Sequence, residues 1–388
     1  MSAELINNVI AQGYRLATHS WEYGAFSEAL LEWYNPQYSV FGSDPFPLGK
    51  VPVLQVHDVK ALSYVKPHIW TNQTTLVDGD GAAGDPASLG VFAVLIGQTE
   101  PDYLNAAGRQ MDHLLTAVPR WPNGAISHRE AVAELWADFL YMAPPALAYW
   151  AVQTADAALL AEVLRQCSLY RDVLGVPKTK KKDDPFAAGP GNLEHRQRVG
   201  GRGADAGAGD GAQVPPNHKK KTDLEAGIRT AKAILRDILD AALALDAAEP
   251  REPLLRNYLN DTTWFGELAG TTLLASTVYR LAVLVPEEFG GNNNNKKYVA
   301  WADAKRPEIV ARVDSRGLLA PVVNPLGWGD RTPHTESPEA QSFAVLMFAA
   351  WRDYQEMCQS GGESIARLDD FCLLEAMEAG WLGASMLP

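Results

Sequence analysis

The chain has 388 residues, 47% of them hydrophobic, enough to bury a large core. Lys and Arg total 34 against 47 Asp and Glu, a net charge of −13, and the basic residues form no long stripe. That balance argues against a nucleic-acid partner or an anionic membrane surface, and an anionic small molecule would need a local positive pocket.

Apolar residues at helical spacing predict amphipathic helices over 3–17, 24–35, 87–97, 101–117, 129–152, 155–174, 222–246, 262–285, 294–314, 336–359 and 364–382, with almost no strand alternation. Near the N-terminus no charged segment precedes an apolar one, and no run approaches about 18 apolar residues, so the chain reads as soluble and intracellular, with a cytoplasmic location expected. Asp85-Pro86 and Ser337-Pro338-Glu339 read as helix starts, each placing a capping side chain before a proline suited to the first turn. Gly-, Pro- and Trp-rich loops such as "VDGDGAAGDPASLG" and "APVVNPLGWGDRTPHTESP" separate the helices, and such loops are where a helical scaffold usually carries its chemistry. Helix pairs joined alternately by short and long loops suggest a solenoid or a closed toroid, a single domain over 1–388. Cys167, Cys358 and Cys372 are an odd set without CxxC spacing, which disfavours a disulfide framework or a zinc site. No metal or nucleotide motif occurs, so no metal and no cofactor are expected. Nothing in the sequence indicates an oligomeric state.

The stretch "ELWADFLYMAPPALAYWA" at 134–151 resembles the W-x-D-x-x-Y-M-x-x-P segment of the unsaturated glucuronyl and rhamnogalacturonyl hydrolases, glycoside hydrolase families 88 and 105, in their fungal form. "SWEYG" at 20–24, "DPASLG" at 85–90, "PRWPNGAISHRE" at 119–130 and "SPEAQSFAVLMFAAWRDY" at 337–354 agree with it in order. The resemblance implies an all-α fold, an (α/α)6 barrel of six helical hairpins, with the active site at the end where the long loops gather. It also implies removal of a Δ4,5-unsaturated uronic acid from the non-reducing end of a small oligosaccharide, pectin-derived and of rhamnogalacturonan type. That chemistry needs no cofactor: protonation of the vinyl ether at C4 builds positive character at C5, water adds there, and the hemiketal opens to a keto acid. One group that gives a proton and takes one from water suffices, in place of the carboxylate pair of ordinary glycosidases.

By the resemblance Asp138 is the general acid/base, and Trp136, Phe139, Tyr141 and Met142 would supply the apolar surroundings that favour a protonated carboxyl. Asp85 aligns with a second active-site carboxylate, placed to orient substrate or to act on Asp138 through like-charge repulsion; as an isolated Asp before Pro it would be an ordinary cap. His128 and Arg129 stand where the family has a His followed by a basic residue, a pair suited to a uronate carboxylate. Trp21, Trp136 and Trp328 are candidate rings for stacking on a sugar face, with Tyr141 beside them. Lys66-Pro67-His68 and His334 are further polar residues in loops. A catalytically impaired relative, or a member redirected to a small metabolite, would carry much of the same pattern.

Twelve helices are needed and eleven are predicted; the gap surrounds "GPGNLEHRQRVGGRGADAGAGDGAQ" at 189–213, which has no apolar periodicity. The family has a helix there, announced by a "TGNGWAAAG"-like segment. Codons compatible with residues 189–203, read from the second base, give Thr-Trp-Ser-Thr-Gly-Asn-Gly-Trp-Ala-Ala-Ala. Residues 180–215 are therefore read as a wrong-frame translation, from a misplaced intron boundary or a frameshift, with a disordered surface insertion as the alternative. Sequencing the transcript across codons 175–222 is expected to restore Thr-Gly-Asn-Gly-Trp in frame; a transcript that encodes "GPGNLEHRQRVGG" would refute the frame reading and leave the barrel one inner helix short.

Overall fold

A computed structural model describes residues 3–175, 216–290, 296–327 and 329–360. The 180–215 segment and the helix expected over 364–382 lie outside the described residues. Among the described residues the chain is helical with only isolated β-bridges, and no helix is long and apolar enough to cross a membrane.

The helices sort by how much of their circumference is covered. α1 (Ala3–Leu16) buries only Ile6, Val9, Ile10 and Gly13, and α6 (Pro101–Thr116) buries Ala106, Ala107, Gln110, Met111 and Leu114, the single stripe of a helix with one face to water. α5 (Gly90–Gly97), by contrast, buries every residue but Val91, and α10 (Leu268–Leu284) buries every residue. A helix covered on all sides belongs to an inner layer. α2 (Ser20–Tyr34), α5, α7 (Phe139–Gln153), α10 and α13 (Pro338–Gln359) form that layer; α1, α3 (Lys60–Val65), α6, α8 (Ala157–Leu174), α9 (Pro216–Ala248) and α12 (Lys296–Val310) lie outside it, with the short turns α4 (Gly84–Ala87) and α11 (Pro286–Phe289) between.

Inner and outer helices alternate along the chain as successive hairpins. α13 packs against both α10 and α2, and α5 against α7, so the inner helices run around a ring. The sixth inner helix that the resemblance implies between α8 and α9 lies outside the described residues. The ring joins the start of the described chain to its end: Gln341 donates to the carbonyls of Val9 (3.3 Å) and Gly317 (2.6 Å), and Asn8 and Gln12 donate to those of Ser315 (3.0 Å) and Arg316 (2.9 Å).

Most expected boundaries hold within a few residues, and the exceptions have local causes. α2 begins at Ser20 rather than 24, because Glu22 reaches back to the His19 backbone N–H (2.8 Å) while the His19 side chain closes the reciprocal capping box. The helix expected from 129 begins at Phe139. Residues 129–138 are a loop instead, organised by Ser127, whose hydroxyl oxygen accepts from the N–H groups of Arg129 (3.0 Å) and Glu134 (2.9 Å). The helix expected from 262 begins at Leu268, where Glu267 caps the N–H groups of Ala269 (2.7 Å) and Gly270 (2.6 Å). Ser337 caps α13 as expected, accepting from Ala340 N–H at 3.1 Å. Asp85 does not cap: the N-cap of α4 is Ala83, and Asp85 lies inside the turn with its carboxyl directed elsewhere.

Candidate active site

α2, α7 and α13 start on the same end of the ring, and a cavity of about 680 Å³ opens over their first turns. Trp21, Asp85, His128, Arg129, Trp136, Asp138 and Tyr141 all line it. Pro325 and Leu326 come from the loop that carries Trp328; Trp328 itself lies outside the described residues.

His128 is the centre of the arrangement. Its ring is 3% exposed, with Nε2 3.6 Å from Asp85 Oδ1 and Nδ1 3.9 Å from Asp138 Oδ1. Both separations exceed hydrogen-bond length, and burial pushes the imidazole below its ordinary value, so it stands neutral between two carboxyls. Its position is fixed by backbone and packing: its N–H donates to Glu134 O (2.7 Å), its carbonyl accepts from Ala83 N–H (2.6 Å), and its ring stacks on Trp136 at 4.9 Å between centroids. Only glycine fits behind it, since a Cβ on Gly84 would stand 2.9 Å from Nδ1.

Asp138 occupies the N-cap position of α7 and makes no capping bond. Its Oδ1 is buried without a hydrogen-bond partner, while the side chain as a whole remains 41% exposed to the cavity. Asp85 is 13% exposed, and burial, reinforced by the nearby charge of Asp138 and opposed by Arg129, pushes its carboxyl up to about 7. Arg129 lies 5.8 Å from the Trp136 ring centroid and donates to the Asp80 carbonyl at 3.2 Å. Trp136 Nε1 donates to Glu134 (3.2 Å), and Trp21 Nε1 donates to Glu339 (3.0 Å) while its ring stacks on His19.

Sequence reasoning missed the acids Asp80, Glu130, Glu134 and Glu339 of this wall, and Glu28 behind it. Glu339 accepts from Trp21 with one oxygen and from the Ser337 hydroxyl (2.8 Å) with the other, and burial raises it above its ordinary value, helped by Glu22. Glu28 lies behind Tyr141, in hydrogen-bond contact with its hydroxyl. In the sequence Glu339 looks like the second residue of a helix start, and Glu28 looks like one acid among others on α2. The histidines of the other loops stay outside this cavity: His68 stacks on Tyr23 at 3.8 Å, and His334 bonds Asp330 at 2.9 Å. Among the described residues no group of three or more His, Cys, Asp or Glu is arranged to hold a metal.

Residues 12–181 match the family pattern of Glycosyl Hydrolase Family 88. A possible member of family GH105 from Salmonella enterica serovar Paratyphi A superimposes with a TM-score of 0.55 at 14% identity, covering 90% of this chain and 93% of that one. Another possible GH105 member, from Klebsiella pneumoniae, gives 0.56 at 14% identity over 90% and 92%. No curated protein matches the chain. The superpositions establish the six-hairpin all-α toroid, and the match to Glycosyl Hydrolase Family 88, which spans less than half of the chain, covers the part that carries Asp85, His128 and Asp138.

Proposed function

We propose that the cavity binds the unsaturated uronic acid at the non-reducing end of a pectin-derived, rhamnogalacturonan-type oligosaccharide and removes it by hydrating the C4=C5 bond. The observation that carries this reading is Asp138: a carboxyl oxygen left without a hydrogen-bond partner at the base of a wide cavity, across a neutral imidazole from a second carboxyl. A side chain whose hydrogen bonds are not spent on the fold is available to a substrate.

Asp138 delivers a proton to C4 and takes one back from the water that adds at C5. The hemiketal then opens to the keto acid and releases the rest of the sugar. Asp85, protonated below about pH 7, adds no charge beside Asp138 in that range. Above it Asp85 ionises, and its negative charge faces the carboxylate of the uronate, so turnover falls on the alkaline side. Trp136 and Trp21 offer flat faces at the cavity wall, each with its indole N–H already committed to a carboxylate and its plane thereby set.

The wall is rich in acids, with Asp80, Glu130, Glu134 and Glu339 besides the central pair. Arg129 and the N-terminal ends of α2, α7 and α13 are what make the cavity hospitable to a carboxylate. Arg129→Met is accordingly expected to raise KM for an unsaturated uronide by about 10–100-fold with a smaller change in kcat, the equivalent of about 1.5–3 kcal/mol of charge-assisted hydrogen bonding. Steady-state kinetics checks this, and an unchanged KM would remove Arg129 from binding.

The function itself is tested by following the double bond's ultraviolet absorbance as purified protein acts on unsaturated rhamnogalacturonan and glucuronan disaccharides. Loss of absorbance on the first and slower loss on the second supports the reading; binding without loss favours a catalytically impaired relative. The buried Cys167 and exposed Cys358, both free thiols, fit work in a reducing compartment such as the cytoplasm.

A further inference from the structure

We propose that Glu28 is a positioning residue of this site: from behind the cavity wall it decides whether the hydroxyl hydrogen of Tyr141 points into the cavity, toward substrate, or back into the protein. The proposal rests on the reading of the cavity as a uronide site.

Tyr141 stands one turn after Asp138 on α7, so the two side chains reach the cavity from one face of the helix. The tyrosine lines two spaces at once. One is the main cavity; the other is a pocket of about 40 Å³ behind it, bordered by Glu28, Glu32, Ser39 and Tyr141 and large enough for a water. Its hydroxyl is in hydrogen-bond contact with Glu28 across this boundary.

A carboxyl can hold that contact in two ways. Ionised, it only accepts, so the tyrosine hydrogen is turned toward Glu28 and the cavity meets oxygen lone pairs. Protonated, it can give its own hydrogen to the tyrosine oxygen, which frees the tyrosine hydrogen for a group in the cavity. An anionic substrate gains from the second arrangement and is repelled by the first. Glu28 is half-buried; the groups facing it are Glu32 on its own helix, Arg280 from α10 and Tyr141 from α7, with Asp353 and Arg352 of α13 behind Arg280. Burial and the Glu32 charge push its carboxyl up to about 8, against the pull of Tyr141 and Arg280. The protonated arrangement therefore holds at neutral pH, and the rear pocket gives a water access to carry the proton away as pH rises.

The test is NMR of the full-length protein carrying 13Cζ-tyrosine, with the Tyr141 resonance assigned by its absence in Tyr141→Phe. The wild-type resonance should step between neutral and mildly alkaline pH, below the ionisation of tyrosine itself, and the step should vanish in Glu28→Gln, because an amide cannot titrate whichever way it faces. No step in the wild type, or a step that persists in Glu28→Gln, overturns the proposal. In turnover, the alkaline fall of kcat should lose one component in Glu28→Gln and keep the one due to Asp85; a profile unchanged in that variant also overturns it. Wild-type protein that shows the step but consumes no unsaturated uronide would leave the Glu28 switch standing and sink the uronide reading instead.

Discussion

Replacing Asp138 with Asn is expected to lower kcat for an unsaturated uronide by about a thousandfold, with KM changed by less than about threefold. The size is that of losing one general acid/base, about 4 kcal/mol of transition-state stabilisation. The side chain makes no hydrogen bond within the fold through Oδ1 and does not cap α7, so the amide takes its place without leaving a structural partner unsatisfied. Melting temperature should move by no more than a degree or two, and asparagine remains a good residue for a helix start. The decisive comparison is kcat against melting temperature in one preparation: unchanged kcat would remove Asp138 from the chemistry, and a large fall in melting temperature would move it to the scaffold.

The second large effect lies at depth. Arg280 on α10 donates to Asp353 of α13 (2.5 Å) and to Glu32 of α2, its guanidinium 4.3 Å from the Phe41 ring centroid, with Glu32 only 3% exposed. One side chain thus ties together three neighbouring inner helices. Arg280→Met keeps the length of the side chain and removes the charge, leaving Glu32 buried without its counter-ion. Such losses cost about 3–5 kcal/mol, which for a chain of this size corresponds to a fall in melting temperature on the order of 10 °C.

The pH dependence gives the sign. Burial already holds the Glu32 carboxyl above its ordinary value, and the two oppositely charged arginines pull it back. Without Arg280 the folded-state value rises further above the unfolded one. The folded state of the variant then favours the proton more strongly, so its deficit is small in acid and grows as pH rises through the neutral range. Thermal melts at several pH values check this. A deficit that is flat with pH would mean that lost packing, not the stranded carboxyl, is responsible. Adding Glu32→Met to Arg280→Met should recover a large part of the loss.

The sequence carried the fold class and the membership of the site further than it carried geometry. Helices with one apolar stripe, such as α1 and α6, have their period written in them. Asp85, His128, Arg129, Trp136, Asp138 and Tyr141 could be named because they lie in short motifs that resemble a family, and they converge on one cavity. The start of α7 was not legible: Val132, Leu135 and Phe139 keep a helix-like spacing, but Ser127 captures the backbone N–H groups that the helix would have used. The expected cap at Asp85 failed for a related reason, since the turn begins two residues earlier and leaves the carboxyl to the cavity.

Partnerships across the ring could not be read at all. Glu32 and Arg280 are separated by 248 residues, Trp21 and Glu339 by 318, and no local rule connects them. Only the closure of the toroid makes Glu32 a buried acid and leaves Glu28 and Glu339 half-buried rather than solvated.

That closure also sets the order in which the protein can be made. α1 and α2 find their covering partner in α13, which begins at Pro338, and Gln341 reaches across 332 residues to Val9. At synthesis rates of about 5–20 residues per second, the apolar faces at the start of the chain wait on the order of tens of seconds before the helix that shields them leaves the ribosome. A nascent chain of this protein is therefore a long-lived client for chaperones, and slowing translation should deplete the folded product well before any change in the stability of the finished ring could be measured.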